Sequence, residues 1–159
     1  MSAKKIVAIG CGIAVVAVVG LVGLGVLGVS YLAQELTGVA VVVDAPTEVM
    51  VGDTFPLKVT VTNQRPTERL ALSDVDIGEA YLKGFTVGII EPVPVTTMHV
   101  PIDDSQSFTF NTPLEPGASR AFTFNLRAAQ PGVYRGDVDV CEGVHFVTAM
   151  AQTSVRERP

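Results

Sequence analysis

Tryptophan is absent from this 159-residue chain, and aromatic residues of all kinds make up only 6% of it. A stacking platform for bases or sugar rings has little to be built from. Cysteine is nearly absent too, with Cys11 and Cys141 alone. A disulfide framework is excluded, and so is any bridge confined to the second half of the chain. Only two histidines occur, His99 and His145. With so few nucleophiles and bases a hydrolytic triad is hard to assemble. No G-x-S-x-G, H-E-x-x-H, P-loop or paired-cysteine metal motif is present. There is no N-x-S/T sequon, because Asn63, Asn111 and Asn125 each lack the required third residue. Basic runs are missing as well.

The most telling absence is charge from residues 6–29, IVAIGCGIAVVAVVGLVGLGVLGV. About 20 apolar residues suffice for a helix to cross the hydrocarbon core of a bilayer. This run is predicted to be a single transmembrane helix and so to contact the lipid bilayer. Lys4 and Lys5 precede it, and no Lys or Arg follows until Lys58. That asymmetry places residues 1–5 in the cytoplasm and everything from about Tyr31 onward outside it. A cleaved signal peptide is the competing interpretation. Its apolar region is ordinarily ~7–15 residues, shorter than this run, so length favours the anchor. Gly10-Cys11-Gly12 is no dinucleotide loop, since no strand-to-helix switch surrounds it.

Residues 30–38 read as a short tether, 39–155 as one domain and 156–159 as a frayed tail. Beyond the anchor stand nine basic residues against all sixteen acidic ones, a net charge of −7. A net acidic domain without a basic stripe argues against nucleic acid as a partner.

The outer region switches to period two. Phe55, Leu57, Val59 and Val61 alternate with polar residues, as do Phe85, Val87 and Ile89, and Phe122, Phe124 and Leu126. Turns fall at 51–53, 116–117, 131–132 and 142–143. Hairpins are predicted around Asp103-Asp104-Ser105 and across Glu142-Gly143. Residues 76–84 read as a short helical insert, with Asp76 as N-cap and Gly84 closing it. Pro92 and Pro94 mark a sheet edge. The expectation is an all-β sandwich of eight or nine strands.

Val51-Gly52-Asp53, the strand ending Val59-Thr60-Val61-Thr62-Asn63, Leu114-Glu115-Pro116-Gly117 and Pro131-Gly132-Val133-Tyr134 together resemble bacterial immunoglobulin-like domains, in particular the CARDB-like module. The resemblance covers most of 39–155, and the insert at 76–84 departs from it. It implies an immunoglobulin-like fold, an extracytoplasmic setting and a structural or adhesive role, with no catalytic residues to carry over. The function expected is therefore a non-enzymatic protein-interaction or structural module, with a protein partner in an envelope assembly and no cofactor.

One constellation offers chemistry. His99, Cys141, His145 and Met150 give H…C-x3-H-x4-M, and a His2Cys site with a weak axial Met is a blue-copper arrangement. Gly132 and Tyr134 ahead of Cys141 are similar to the Gly-x-Tyr of cupredoxins, although Tyr134 stands farther from the cysteine. The alternative function is thus a membrane-tethered copper electron carrier. It requires His99 and Cys141 to converge. The bland interpretation is a buried Cys, an edge His and a packing Met. Asp137, Asp139 and Glu142, and the pair Asp103-Asp104, lack the wrapping loop that calcium needs and read as solvated strand faces.

Overall fold

The computed structural model describes residues 35–159. The predicted anchor at 6–29 lies outside the described residues. Among the described residues no helix is long and apolar enough to cross a membrane.

Ten strands and one short helix follow in order: β1 (Val39–Asp44), β2 (Glu48–Met50), β3 (Thr54–Asn63), β4 (Leu70–Gly78), α1 (Glu79–Leu82), β5 (Phe85–Glu91), β6 (Thr96–Val100), β7 (Ser105–Leu114), β8 (Ser119–Ala128), β9 (Gly132–Glu142) and β10 (His145–Arg156). They form a four-stranded sheet, β1-β3-β8-β5, and a six-stranded sheet, β2-β10-β9-β4-β7-β6. All pairings among the described residues are antiparallel except β2 with β10 and the isolated Glu35–Phe146 bridge, which are parallel.

Alternation builds the core. Leu57, Val59 and Val61 of β3 and Phe122, Phe124 and Leu126 of β8 are fully buried. They face Val75 and Ile77 of β4 and Val138 and Val140 of β9, also fully buried. Phe108 and Phe110 of β7 reach across the layers, with ring centroids 4.9 Å from Phe124 and 4.5 Å from Phe122. Each such side chain removed from water stabilises the fold by roughly 1.5–3 kcal/mol.

In β4 the buried residues fall at Leu70, Leu72, Val75 and Ile77, a spacing that breaks period two. A bulge between Leu72 and Asp74 resolves it. The extra residue belongs to β7, where Phe110 and Asn111 stand against Ser73 alone, and Asn111 adopts φ 48°, a left-handed conformation that Asn tolerates better than most residues. That extra residue keeps the two strands paired while β4 changes the parity it turns to the core, so both halves of β4 bury their apolar set.

Several expectations need correction. Asp76 is no N-cap. It lies inside β4, and Gly78 precedes α1 without a side-chain cap. The local N-cap pattern loses to the ladders that β4 makes with β7 and β9 on either side. Gly84 does follow the helix, but it has no positive φ. Its requirement is space, since a Cβ there would fall 2.3 Å from the Tyr134 ring. Strand β7 continues through Pro113, which stands opposite Ala71. Ten strands replace the eight or nine foreseen, partly because β2 is only three residues long. Both hairpins stand as expected, β6–β7 and β9–β10, and β5 ends at Glu91, directly before Pro92.

Candidate interaction surface and the sequence-predicted ligands

The strands place the four residues of the copper reading apart. Across the β9–β10 hairpin Cys141 pairs with Phe146, His145 with Glu142, and Met150 with Asp137. Side chains alternate faces along a strand. Cys141 and Met150 therefore share the outer face of the six-stranded sheet, four residues apart along the ladder, or about 13 Å at ~3.3 Å per residue. His145 takes the opposite parity at the hairpin tip. His99 sits on β6, separated from β9 by β7 and β4. Three strand spacings of ~4.8 Å put it roughly 14 Å away. Its Nδ1 lies 3.6 Å from Oε1 of Glu79. The fold does not bring His99 and Cys141 together, and no group of three or more His, Cys, Asp or Glu side chains is placed to hold a metal ion among the described residues.

The outer face of the six-stranded sheet instead carries aspartates matched to hydroxyls. Thr109 Oγ1 donates to Asp74 Oδ1 at 2.6 Å, and Thr148 Oγ1 donates to Asp139 Oδ1 at 2.5 Å. Asp76 is the unusual member, only 1% exposed. Its neighbours in register are Ser107 on β7 and Asp139 on β9, and Cys141 Sγ lies 3.8 Å from its Oδ2. Burial pushes the Asp76 carboxyl up to about 8, against a hydrogen bond from Ser107 that lowers it, and the negative charges of Asp74, Asp139 and Asp103 add to the rise.

A denser polar network occupies the pole where the chain enters the sandwich. Glu35 bridges to Phe146 of β10, Leu36 is buried, and its amide donates to the Phe146 carbonyl at 3.0 Å. Gly38 turns the chain into β1 at φ 69°, and its carbonyl accepts from the Gln64 amide at 2.8 Å. Arg65 ties these parts together. Its two terminal nitrogens donate to both Glu142 oxygens, at 3.2 and 2.7 Å, and its Nε donates to the Thr37 carbonyl at 3.2 Å. Glu142 Oε1 also accepts from the Ala71 amide at 2.7 Å. For Arg65 the Glu142 hydrogen bonds raise an already high pKa, opposed by burial. For Glu142 burial pushes upward, but Arg65 and the Ala71 amide outweigh it and hold the carboxyl below its ordinary range. Beside this pair, fully buried Asn63 donates from Nδ2 to the Glu68 and Leu114 carbonyls at 2.8 and 2.9 Å, and its Oδ1 accepts from the Arg65 amide at 3.1 Å. Neither role is legible in the sequence, where Asn63 simply ends a strand. Arg65 and Glu142 are 77 residues apart, and nothing local marks them as partners.

A different surface lies at the other sheet edge. Strand β6 ends the six-stranded sheet and, among the described residues, pairs only with β7. Four of its five residues are exposed. Around it stand Val93 at 82% exposure, Val95 at 67%, Met98 at 52% and Ile102 at 53%, with Ile89 at 70% on the neighbouring edge strand β5. The other edges are less open. β2 has three residues, β5 is interrupted by a bulge between Val87 and Ile90, and β1 lies against β10 of the opposite sheet. An edge with free backbone groups and no Lys or Pro within it is a template for pairing with another chain.

The sequence matches no family profile and no curated protein. Solved structures do match the fold. The crystal structure of the CARDB domain of the PF1109 protein from Pyrococcus furiosus, in complex with di-metal ions, is 19% identical, with TM-score 0.50 over 74% of this chain and 91% of that one. A solution NMR structure of the same domain is 19% identical, with TM-score 0.51 over 77% and 97%. The fold is an immunoglobulin-like sandwich of the CARDB type. At this identity the likeness extends to the fold alone.

Proposed function

We propose that the chain is a single-pass membrane protein whose β-sandwich stands outside the cytoplasm as a non-enzymatic protein-interaction module, a subunit of an envelope assembly. The β6 edge carries this interpretation. An unblunted strand flanked by exposed Val93, Val95, Met98 and Ile102 suits a partner that adds an extended apolar segment to the sheet. Backbone hydrogen bonds would supply affinity and alternate side chains specificity. No catalytic residue and no cofactor is invoked. The anchor follows from the uncharged run at 6–29 and from Lys4 and Lys5 before it.

The test uses the full chain in its native membranes. A photo-crosslinking side chain at Val95 is expected to yield a discrete adduct, and the same group at Val133, an exposed valine on β9, is not. Adding Met98→Lys should abolish the Val95 adduct by placing a charge on the edge. No adduct from either position, or equal adducts from both, would sink the interpretation.

A further inference from the structure

The segment that carries the predicted anchor into the domain is bonded to the sandwich rather than hanging from it. Three hydrogen bonds hold residues 36–38: the Leu36 amide on the Phe146 carbonyl, which forms the Glu35–Phe146 bridge, the Gln64 amide on the Gly38 carbonyl, and Arg65 Nε on the Thr37 carbonyl. Leu36 is buried in the core cluster. Arg65 is itself locked by both oxygens of Glu142 and by Asn63. At Gly38 a Cβ would lie 2.7 Å from Cγ of Arg65, so the chain passes tightly beneath the arginine. A swivel needs at least a few unpaired residues, and Leu36, Thr37 and Gly38 are each engaged.

The span between the end of the uncharged run at Val29 and Glu35 is Ser30, Tyr31, Leu32, Ala33 and Gln34. Fully extended it reaches no more than about 20 Å. By contrast, β10 alone has 12 residues and measures about 40 Å from end to end. The entry pole is thus held within the span's reach of the bilayer, and the far pole is beyond it.

We infer that the pole formed by residues 35–38, 63–70, 114–119 and 142–145 docks on the lipid headgroup layer in a fixed orientation, with the Arg65–Glu142 clamp as its positioning element. This rests on the membrane-anchored interpretation above. The chemistry of the pole fits a zwitterionic surface. Within those segments Arg65 and Arg69 stand against Glu35, Glu68, Glu115 and Glu142, both signs present with the negative in modest excess. Arg69 and Glu115 pair at 2.7 Å on the exposed rim. Such a pole is neither drawn to anionic lipid nor repelled from headgroups carrying both charges. The orientation also lays the β6 edge along the side of the standing domain, where an incoming strand is not blocked by the bilayer.

The absence of tryptophan supplies a clean optical test. The full chain is reconstituted into phosphatidylcholine vesicles containing a headgroup-attached nitroxide, a contact-range quencher. Single tryptophans are placed at exposed positions of the entry pole (Thr67→Trp, Pro116→Trp) and of the far pole (Lys83→Trp, Gln130→Trp). Expected is quenching at least threefold stronger at 67 and 116 than at 83 and 130. Adding Arg65→Ala should lower the ratio toward one. Equal quenching at the two poles in protein that floats with the vesicles overturns the fixed orientation and leaves the anchor standing. Protein that does not float with the vesicles overturns both.

Discussion

The entry pole and the β5–β6 edge invest differently. At the pole, the side chains of Arg65, Asn63 and Glu142 each bond groups of at least two other residues, and loops from four parts of the chain are cross-linked by polar contacts. At the edge, valine, methionine and isoleucine lie in water, and among the described residues β6 has one neighbour. Half-buried hydrogen-bonded charges are costly to break because the surviving partner is left without compensation. Exposed apolar side chains cost little to change because they already meet solvent. The pole is built to hold a geometry, and the edge is left open to acquire a neighbour.

The largest expected effect breaks the pole. Arg65→Ala should destabilise the domain by about 3 kcal/mol, read as a lower chemical denaturation midpoint, while the fold of the β6 edge persists. Loss below about 1 kcal/mol would show that the clamp adds little. Next, Asn63→Ala leaves two carbonyls and the Arg65 amide without a partner and should cost about 2 kcal/mol. Backbone amide exchange should quicken first in 63–69.

Acid separates the two regions without mutation. Glu142 has a folded pKa below its unfolded value near 4.5. Its stabilising contribution is complete above the unfolded pKa and disappears as pH falls through the folded one. Exchange protection of the Ala71 amide, which donates to Glu142, should be lost at the acid end of that window, while amides within β6 and β7 do not respond. Asp76 has the opposite sign. Its folded pKa is raised to about 8, so the folded state holds a proton that the unfolded state has released. Stability on this account falls as pH rises from about 4 to about 8 and is level above. Asp76→Asn should raise the melting temperature at pH 8–9 and have much less effect near pH 4. A pH-independent difference would mean that burial of the charge is not what matters there. The smallest stability change belongs to the edge. Met98→Lys should shift unfolding by no more than about 0.5 kcal/mol while removing the Val95 crosslink.

How much was legible can be judged residue by residue. Phe122, Phe124 and Leu126 announce their strand because alternation is a local property of a pleated backbone, and both hairpins were marked by residues at their turns. The β4–β7 bulge was visible only as a fault in the β4 pattern, Leu72 to Val75, and the extra residue that resolves it lies on β7 at Asn111. Asp76 read locally as a helix cap and proved to be a buried strand residue, because the ladders of β7 and β9 outweigh one capping bond. The residues of the copper alternative, His99, Cys141, His145 and Met150, are placed apart for a related reason. Residues close in sequence lie on alternating faces of a hairpin, and His99 is held on another strand by the β6–β7 pairing.

By itself the sequence determined that residues 6–29 carry no charge, that the rest alternates as two-faced strands, and that those strands turn at glycine, proline and acidic positions. These are consequences of side-chain chemistry and of bond geometry over a few residues. Only the tertiary structure decided which strands became edges, that Arg65 meets Glu142 across 77 residues, and that the tether is bonded to the pole it enters. Those depend on strand order and register, which are settled when distant segments compete to bury the same core.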